Sequence, residues 1–187
     1  MGARLTQNAA SGNSSPAMTA SAGRRPPLDR GDLEMQIARD GTWFYRGSPI
    51  GRLPLVKLFA SVLRREADGR YWLVTPAERG RVEVEDVPFL AVALTVEGEG
   101  RDRRLIFRTN LDEFVTAGPE NPLRVETAAS GEPAPYILVR DGLEARLARP
   151  VFYELVELGA EELIAETAQF GVWSSGVFFR LGEPAPE

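Results

Sequence analysis

Thr42-Trp43-Phe44-Tyr45-Arg46, followed by Gly51-Arg52-Leu53, decides the reading of this chain, because the pattern returns about 94 residues later. The second copy is Tyr136-Ile137-Leu138-Val139-Arg140 with Ala145-Arg146-Leu147, and the apolar trio Leu58, Phe59, Val62 returns as Phe152, Tyr153, Val156. Each copy reads as strand, tight turn, helix and strand. Two such units must bury their apolar sides against something, so their mutual interface is the first place to look for a ligand.

Around the first copy, Leu33, Met35 and Ile37 alternate with Glu34, Gln36 and Ala38 as in a half-buried strand, and Asp40-Gly41 has the composition of a type I′ hairpin turn. Pro54 fits the first turn of a helix, where its missing N–H costs nothing. Leu55, Leu58, Phe59 and Val62 recur at helical spacing to about Glu66, and Asp68-Gly69 closes that element. Tyr71 to Val74 is a strand stopped by Pro76. Between the copies, Val82 and Val84, then Leu90, Val92, Leu94 and Val96, then Leu105 to Arg108 read as an antiparallel meander. Leu123 to Thr127 pairs with Tyr136 to Arg140. Leu147 to Leu158 forms the second helix, with Phe152, Tyr153, Leu155 and Val156 inward, and Ala160 to Gln169 extends it or adds a third. Val177 to Leu181 is the last strand.

The expected fold is therefore α+β, a duplicated hairpin-helix-strand motif on antiparallel sheets. Its divisions are a disordered leader at 1–28, an N-terminal α+β repeat domain at 30–76, a C-terminal β-rich domain with the second repeat at 77–183, and a frayed tail at 184–187.

Composition excludes more than it assigns. The 187 residues contain no Cys and no His, which removes thiol and Ser-His nucleophiles, imidazole acid-base chemistry and zinc sites built on those ligands. A carboxylate-only magnesium or calcium site is left open. The chain carries −5 overall and residues 1–30 carry +3, from four Arg and one Asp, so residues 31–187 carry −8. An acidic body with no clustered cations argues against nucleic-acid binding. No apolar run approaches the roughly 18 residues of a spanning helix, and the leader has no apolar h-region, so a cytoplasmic protein without membrane partners is expected.

The wording Trp43-Phe44-Tyr45-Arg46-Gly47-Ser48-Pro49-Ile50, Val74-Thr75-Pro76-Ala77-Glu78, Val84-Glu85-Asp86-Val87-Pro88-Phe89 and Gly171-Val172-Trp173-Ser174-Ser175-Gly176 resembles the uncharacterised bacterial family known as domain of unknown function 1285. The resemblance spans about residues 30–183. It implies a two-part fold with a duplicated motif, a C-terminal part like pleckstrin-homology domains, a ligand site between the parts, and a signalling role with a nucleotide-like ligand. It implies no activity and no cofactor.

The residues themselves suggest where an anion would sit. Gly47, Ser48, Gly51 and Arg52 make a short turn-rich loop ahead of a helix, where backbone N–H groups and a guanidinium suit negative charge. Arg146 holds the equivalent place in the second copy; the two arginines either grip one ligand or pair with carboxylates such as Glu85 or Asp86. Trp173 precedes the small-residue turn Ser174-Ser175-Gly176, so its ring packs across an interface or stacks on a planar ligand. Glu83, Glu85 and Asp86 read as a solvated face rather than a metal site. The favoured function is a non-catalytic ligand-sensing or signalling protein that binds a small anionic, nucleotide-like ligand between its two parts. The alternatives are a carboxylate- and arginine-dependent, magnesium-assisted hydrolase and a structural interaction module.

Overall fold

A computed structural model describes residues 26–182. The leader and the tail, including their expected disorder, lie outside the described residues, apart from residues 26–28. The described elements start with β1 (Leu28–Ile37), followed by β2 (Trp43–Tyr45), β3 (Ser48–Pro49), α1 (Leu53–Ser61), β4 (Leu63–Arg65), β5 (Tyr71–Val74) and β6 (Glu78–Val84). These six strands form one sheet in the order β3-β2-β1-β6-β5-β4, with β1 and β6 parallel and the other neighbours antiparallel.

After the linker at 85–88 come β7 (Phe89–Glu97), β8 (Arg104–Thr109), β9 (Phe114–Thr116), β10 (Leu123–Thr127), β11 (Pro133–Arg140) and β12 (Leu143–Leu147). The second sheet runs β10-β11-β12-β7-β8-β9, again with one parallel pair, β12 with β7. Read from its other edge, this is the strand order of the first sheet: two three-stranded meanders joined by a parallel pair of their first and last strands. The expectation of purely antiparallel sheets is corrected accordingly. Among the described residues the chain is mostly β, with two α-helices.

The second sheet must curl. A flat six-stranded sheet is about 24 Å wide, and β9 and β10 occupy its opposite edges. They are joined by only Ala117 to Pro122, which turns back on itself through Gly118 N–H to the Asn121 carbonyl (3.2 Å). The result is a half-barrel. α2 (Arg149–Glu157) packs beside β7, and β13 (Ala160–Ile164), β14 (Thr167–Ser174) and β15 (Val177–Gly182) form a third, antiparallel sheet. Ser174 locks that sheet to the half-barrel: its buried hydroxyl accepts from Leu105 N–H (3.0 Å) and donates to the Ala117 carbonyl (2.7 Å). One hydrophobic core runs through everything, from Ile37, Trp43, Leu63 and Val82 through Phe89, Phe107 and Ile137 to Leu155, Val172 and Phe179. Among the described residues no helix is long and apolar enough to cross a membrane.

Several expectations fail for identifiable reasons. The division at Pro76 falls inside the first sheet, since β6 pairs with both β1 and β5. α1 stops at Ser61, and Asp68-Gly69 turns the β4–β5 hairpin rather than ending a helix. Leu147 belongs to β12 and pairs with Ala91, so α2 starts at Arg149. Ala160 to Gln169 forms strands rather than helix, through a two-residue turn with both Ala165 (φ 48°) and Glu166 (φ 65°) left-handed. That conformation is unfavourable for side chains with a Cβ, and it hid the hairpin from a reading of Ala and Glu as helix formers. Asp40-Gly41 turns the first hairpin, but only Gly41 (φ 83°) is left-handed, bonding back to Ala38, so the turn is not type I′.

The 94-residue echo loses its register by one residue at the hairpin turns and by two at the helix starts. Arg46-Gly47 and Asp141-Gly142 are both two-residue turns with positive φ at each position, as type I′ requires. The helices begin 96 residues apart rather than 94, at Leu53 and Arg149. Their buried positions are Val56 and Ala60 in one and Val151 and Leu155 in the other, whereas Leu58 and Tyr153 are both 61% exposed. The inward trio expected from the echo is thus turned partly to solvent.

Candidate functional site

Strand pairing builds a row of three side chains across the half-barrel. Arg124 on β10 lies opposite Tyr136 on β11, and Tyr136 lies opposite Arg146 on β12. Directly paired residues share a face, so the tyrosine ring sits between two guanidiniums, 4.3 Å from Arg124 and 5.8 Å from Arg146. Each cation has its own carboxylate. Arg124 grips Glu144 through Nε (2.6 Å) and Nη2 (2.8 Å) and also bonds Glu126. Arg146 donates from Nη1 to Asp86 (2.8 Å), and the Tyr136 hydroxyl donates to the same carboxylate (3.0 Å). Asp86 belongs to the linker between the two six-stranded sheets, so the row holds the linker down.

Burial, followed by the bond to Asp86, pushes the Tyr136 hydroxyl above the ordinary phenol range, and burial does the same to Tyr71. A folded pKa raised in this way contributes stability that is full below about pH 10 and is lost as pH rises through the folded value. Ultraviolet titration of the phenols should show Tyr71 and Tyr136 ionising late. Tyr136→Phe should remove one late transition; the absence of any late transition would contradict the environment described.

Arg146 also forms a wall of a cavity of about 170 Å³, with Glu132, Pro133, Pro135, Leu147, Arg149, Phe152 and Tyr153. Arg149 is the first residue of α2. The position before it is Ala148, which offers no side-chain acceptor, and the first turn contains no acid. A cation there opposes the helix dipole, so this end is electrostatically bare. Arg149 does reach Glu132 at 3.3 Å, but both side chains are well exposed, and such pairs contribute about 0–1 kcal/mol. α1 repeats the pattern: its capping position is Arg52, without a side-chain cap, ahead of Pro54.

The sequence-derived candidates are distributed as follows. Gly47 lies in the β2–β3 hairpin turn and Ser48 in the exposed edge strand β3. Gly51 lines a second cavity of about 200 Å³ where the halves meet, with Gly41, Trp43, Asn110 and Leu111, and no charged side chain lines it. Arg52 is exposed at the start of α1 and lines neither that cavity nor the one at Arg146. Trp173 is half-buried in β14; its indole N–H donates to Glu162 (3.0 Å), Arg101 covers one face at 4.6 Å, and Phe178 packs against it at 5.3 Å. Its ring is therefore engaged across the join between the third sheet and the β7–β8 connection. Of the lining of the cavity at Arg146, the sequence argument singled out only Arg146 as a site residue, and Arg149, Phe152 and Tyr153 are among those it missed. The available signal was Arg149-Pro150 at a helix start, parallel to Arg52-Leu53-Pro54. Among the described residues no cluster of acidic side chains could hold a metal ion.

Comparison with known proteins fits this division at the linker. Residues 24–87 match the N-terminal domain of unknown function (DUF1285), and residues 88–181 match the C-terminal domain of the protein of unknown function DUF1285. The chain belongs to the DUF1285 family. A crystal structure of a DUF1285 family protein from Silicibacter pomeroyi DSS-3 is 49% identical, with a TM-score of 0.78 over 83% of this chain and 82% of that one. A second DUF1285 family structure, from Shewanella baltica OS155, is 26% identical, with a TM-score of 0.52 over 67% of this chain and 91% of that one. Comparison with curated proteins gives no match. The two DUF1285 domains meet between Val87 and Pro88, one residue past the aspartate that Arg146 and Tyr136 hold.

Proposed function

We propose that this DUF1285 protein is a non-catalytic cytoplasmic sensor that takes a small anionic ligand into the cavity at the start of α2. The observation that carries the proposal is the lining: Arg146 and Arg149 supply positive charge, Phe152 and Tyr153 supply ring surface, and the helix end beside them has no capping acceptor. Anions favour such ends, where N–H groups point outward along the dipole. At about 170 Å³ the cavity is smaller than the roughly 300–1,000 Å³ typical of drug-sized ligands. A phosphate or a phosphorylated fragment fits that size, and a nucleotide would leave its base outside, against the exposed Tyr153. We read the curled sheet with α2 at its end as a pleckstrin-homology-like scaffold. The shared strand order of the two six-stranded sheets matches β1 with β7 and β2 with β8, pairs that begin 61 residues apart, so any duplicated origin it reflects is a different relation from the 94-residue echo.

A thermal-shift panel of inorganic phosphate, nucleotides and phosphorylated metabolites tests this reading. A ligand at 100 times its Kd should add about 2.7 kcal/mol of stability. Arg149→Ala should abolish the shift while changing the unliganded protein little, Glu132→Gln should strengthen it by removing a competing charge, and Arg52→Ala should leave it intact. A panel that moves nothing, or a shift that survives Arg149→Ala, overturns the assignment.

A further inference from the structure

We infer that Arg146 is a shared contact that couples occupation of the cavity to docking of the linker between the two domains. The inference rests on the anion-binding reading above. Two attachments hold the linker at this point. Val87 buries with Ala134 and Tyr136 in a small apolar cluster separate from the main core. Asp86 beside it accepts from Tyr136 and Arg146. Arg146 therefore faces two ways, toward Asp86 and toward the cavity.

An anion in the cavity and the Asp86 carboxylate carry the same sign and draw on the same guanidinium. Arg146 has five N–H donors, so it can touch both, but its charge then serves two carriers of negative charge brought close together. Other groups cannot replace it. Arg124 is committed to Glu144 and Glu126, and Arg149 lies on the cavity side against Glu132. Whatever anion binding takes from the Asp86 bond weakens the linker. By reciprocity, whatever loosens Asp86 strengthens anion binding by the same factor. Glu85 is held separately, by the Gln36 amide, the Arg39 N–H and the Ile37 carbonyl, so Asp86 and Val87, held by the small cluster and this shared contact, are the part of the linker that responds.

The test uses the full chain, inorganic pyrophosphate as probe, calorimetric titration, and hydrogen exchange of the Asp86 and Val87 amides, with the bonded Glu85 amide as reference. Asp86→Asn should bind pyrophosphate about 5–10-fold more tightly than the unmodified protein, the lower range of typical coupling factors. Saturating pyrophosphate should speed linker exchange in the unmodified protein, and Arg146→Gln should show the faster exchange with no anion present. Pyrophosphate binding with unchanged linker exchange and unchanged affinity in Asp86→Asn overturns the coupling and leaves the binding site standing. Unaltered exchange in Arg146→Gln overturns it independently. No binding at millimolar pyrophosphate overturns both the coupling and the cavity assignment.

Discussion

Trp43→Ala is expected to remove about 3–5 kcal/mol of folding stability, a large share of the roughly 5–15 kcal/mol that holds a domain together. Trp43 is 1% exposed, pairs in register with Ile37 and stacks on Phe59 with ring centres 6.3 Å apart. The cost of a truncated side chain depends on how well its surroundings collapse. Collapse is hindered here, because Trp43 already borders the cavity of about 200 Å³ between the domains. Its buried indole N–H has no acceptor among the described residues, so the loss is one of packing and not of hydrogen bonding. Trp43→Phe should consequently cost much less, at about 1–2 kcal/mol, since most ring contact is kept and no bonded donor is lost. Urea denaturation with unchanged slope is the measurement. A loss below about 1 kcal/mol for the alanine variant would mean that Trp43 is not part of the core shared by the two domains.

Gly41→Ala is expected to cost about 3 kcal/mol, roughly 1–2 from the left-handed backbone and about 1–3 from hydrogen-bonding groups left unpaired. Gly41 has φ 83°, and an added Cβ would stand 2.5 Å from the amide nitrogen of Asn110. Asn110 cannot simply step aside. Its side chain accepts from Leu90 N–H (3.0 Å) and donates to the Gly41 carbonyl (3.3 Å), and its own N–H bonds the Leu90 carbonyl (2.7 Å). Displacing it unfastens the turn of the first domain from the second. Gly47→Ala is the control: φ is 76°, but nothing lies within 4 Å of the added carbon, so only the backbone cost of about 1–2 kcal/mol applies. Equal losses at the two glycines would show that the Asn110 contact contributes nothing. In an Asn110→Ala background the extra loss at Gly41 should disappear, a non-additivity that a double-mutant cycle reads directly.

The helix-buried faces illustrate why pattern alone misplaces residues. Leu58 and Tyr153 recur at the right spacing for an inward stripe, yet both point to solvent, because Val56, Ala60, Val151 and Leu155 already fill the inner face. In β7 the alternation of Leu90, Val92, Leu94 and Val96 is interrupted by a bulge between Ala91 and Ala93. The bulge reverses which parity faces inward: Phe89 and Ala91 are buried ahead of it, Leu94 packs on the core beyond it, and Val92 is exposed.

The family resemblance, the β-rich middle, the helix start marked by Pro54 and the turn-rich loop around Gly47 were legible in the chain itself, because a motif, an alternation, a missing N–H or a glycine that accepts positive φ is carried by neighbouring residues. The second helix was expected from Leu147, two residues ahead of its start at Arg149. The pairing of Arg146 with Asp86 was foreseeable only as one of two options. What the tertiary structure decided is everything that depends on strands meeting across long separations: the parallel pairs β1 with β6 and β12 with β7, the curl of the second sheet, the row Arg124-Tyr136-Arg146, and the cavity that joins Arg146 to Arg149. Periodicity fixes which face of a strand is apolar, but it does not name the neighbouring strand. A candidate site made of one residue from each of several strands therefore becomes visible only when the register is set.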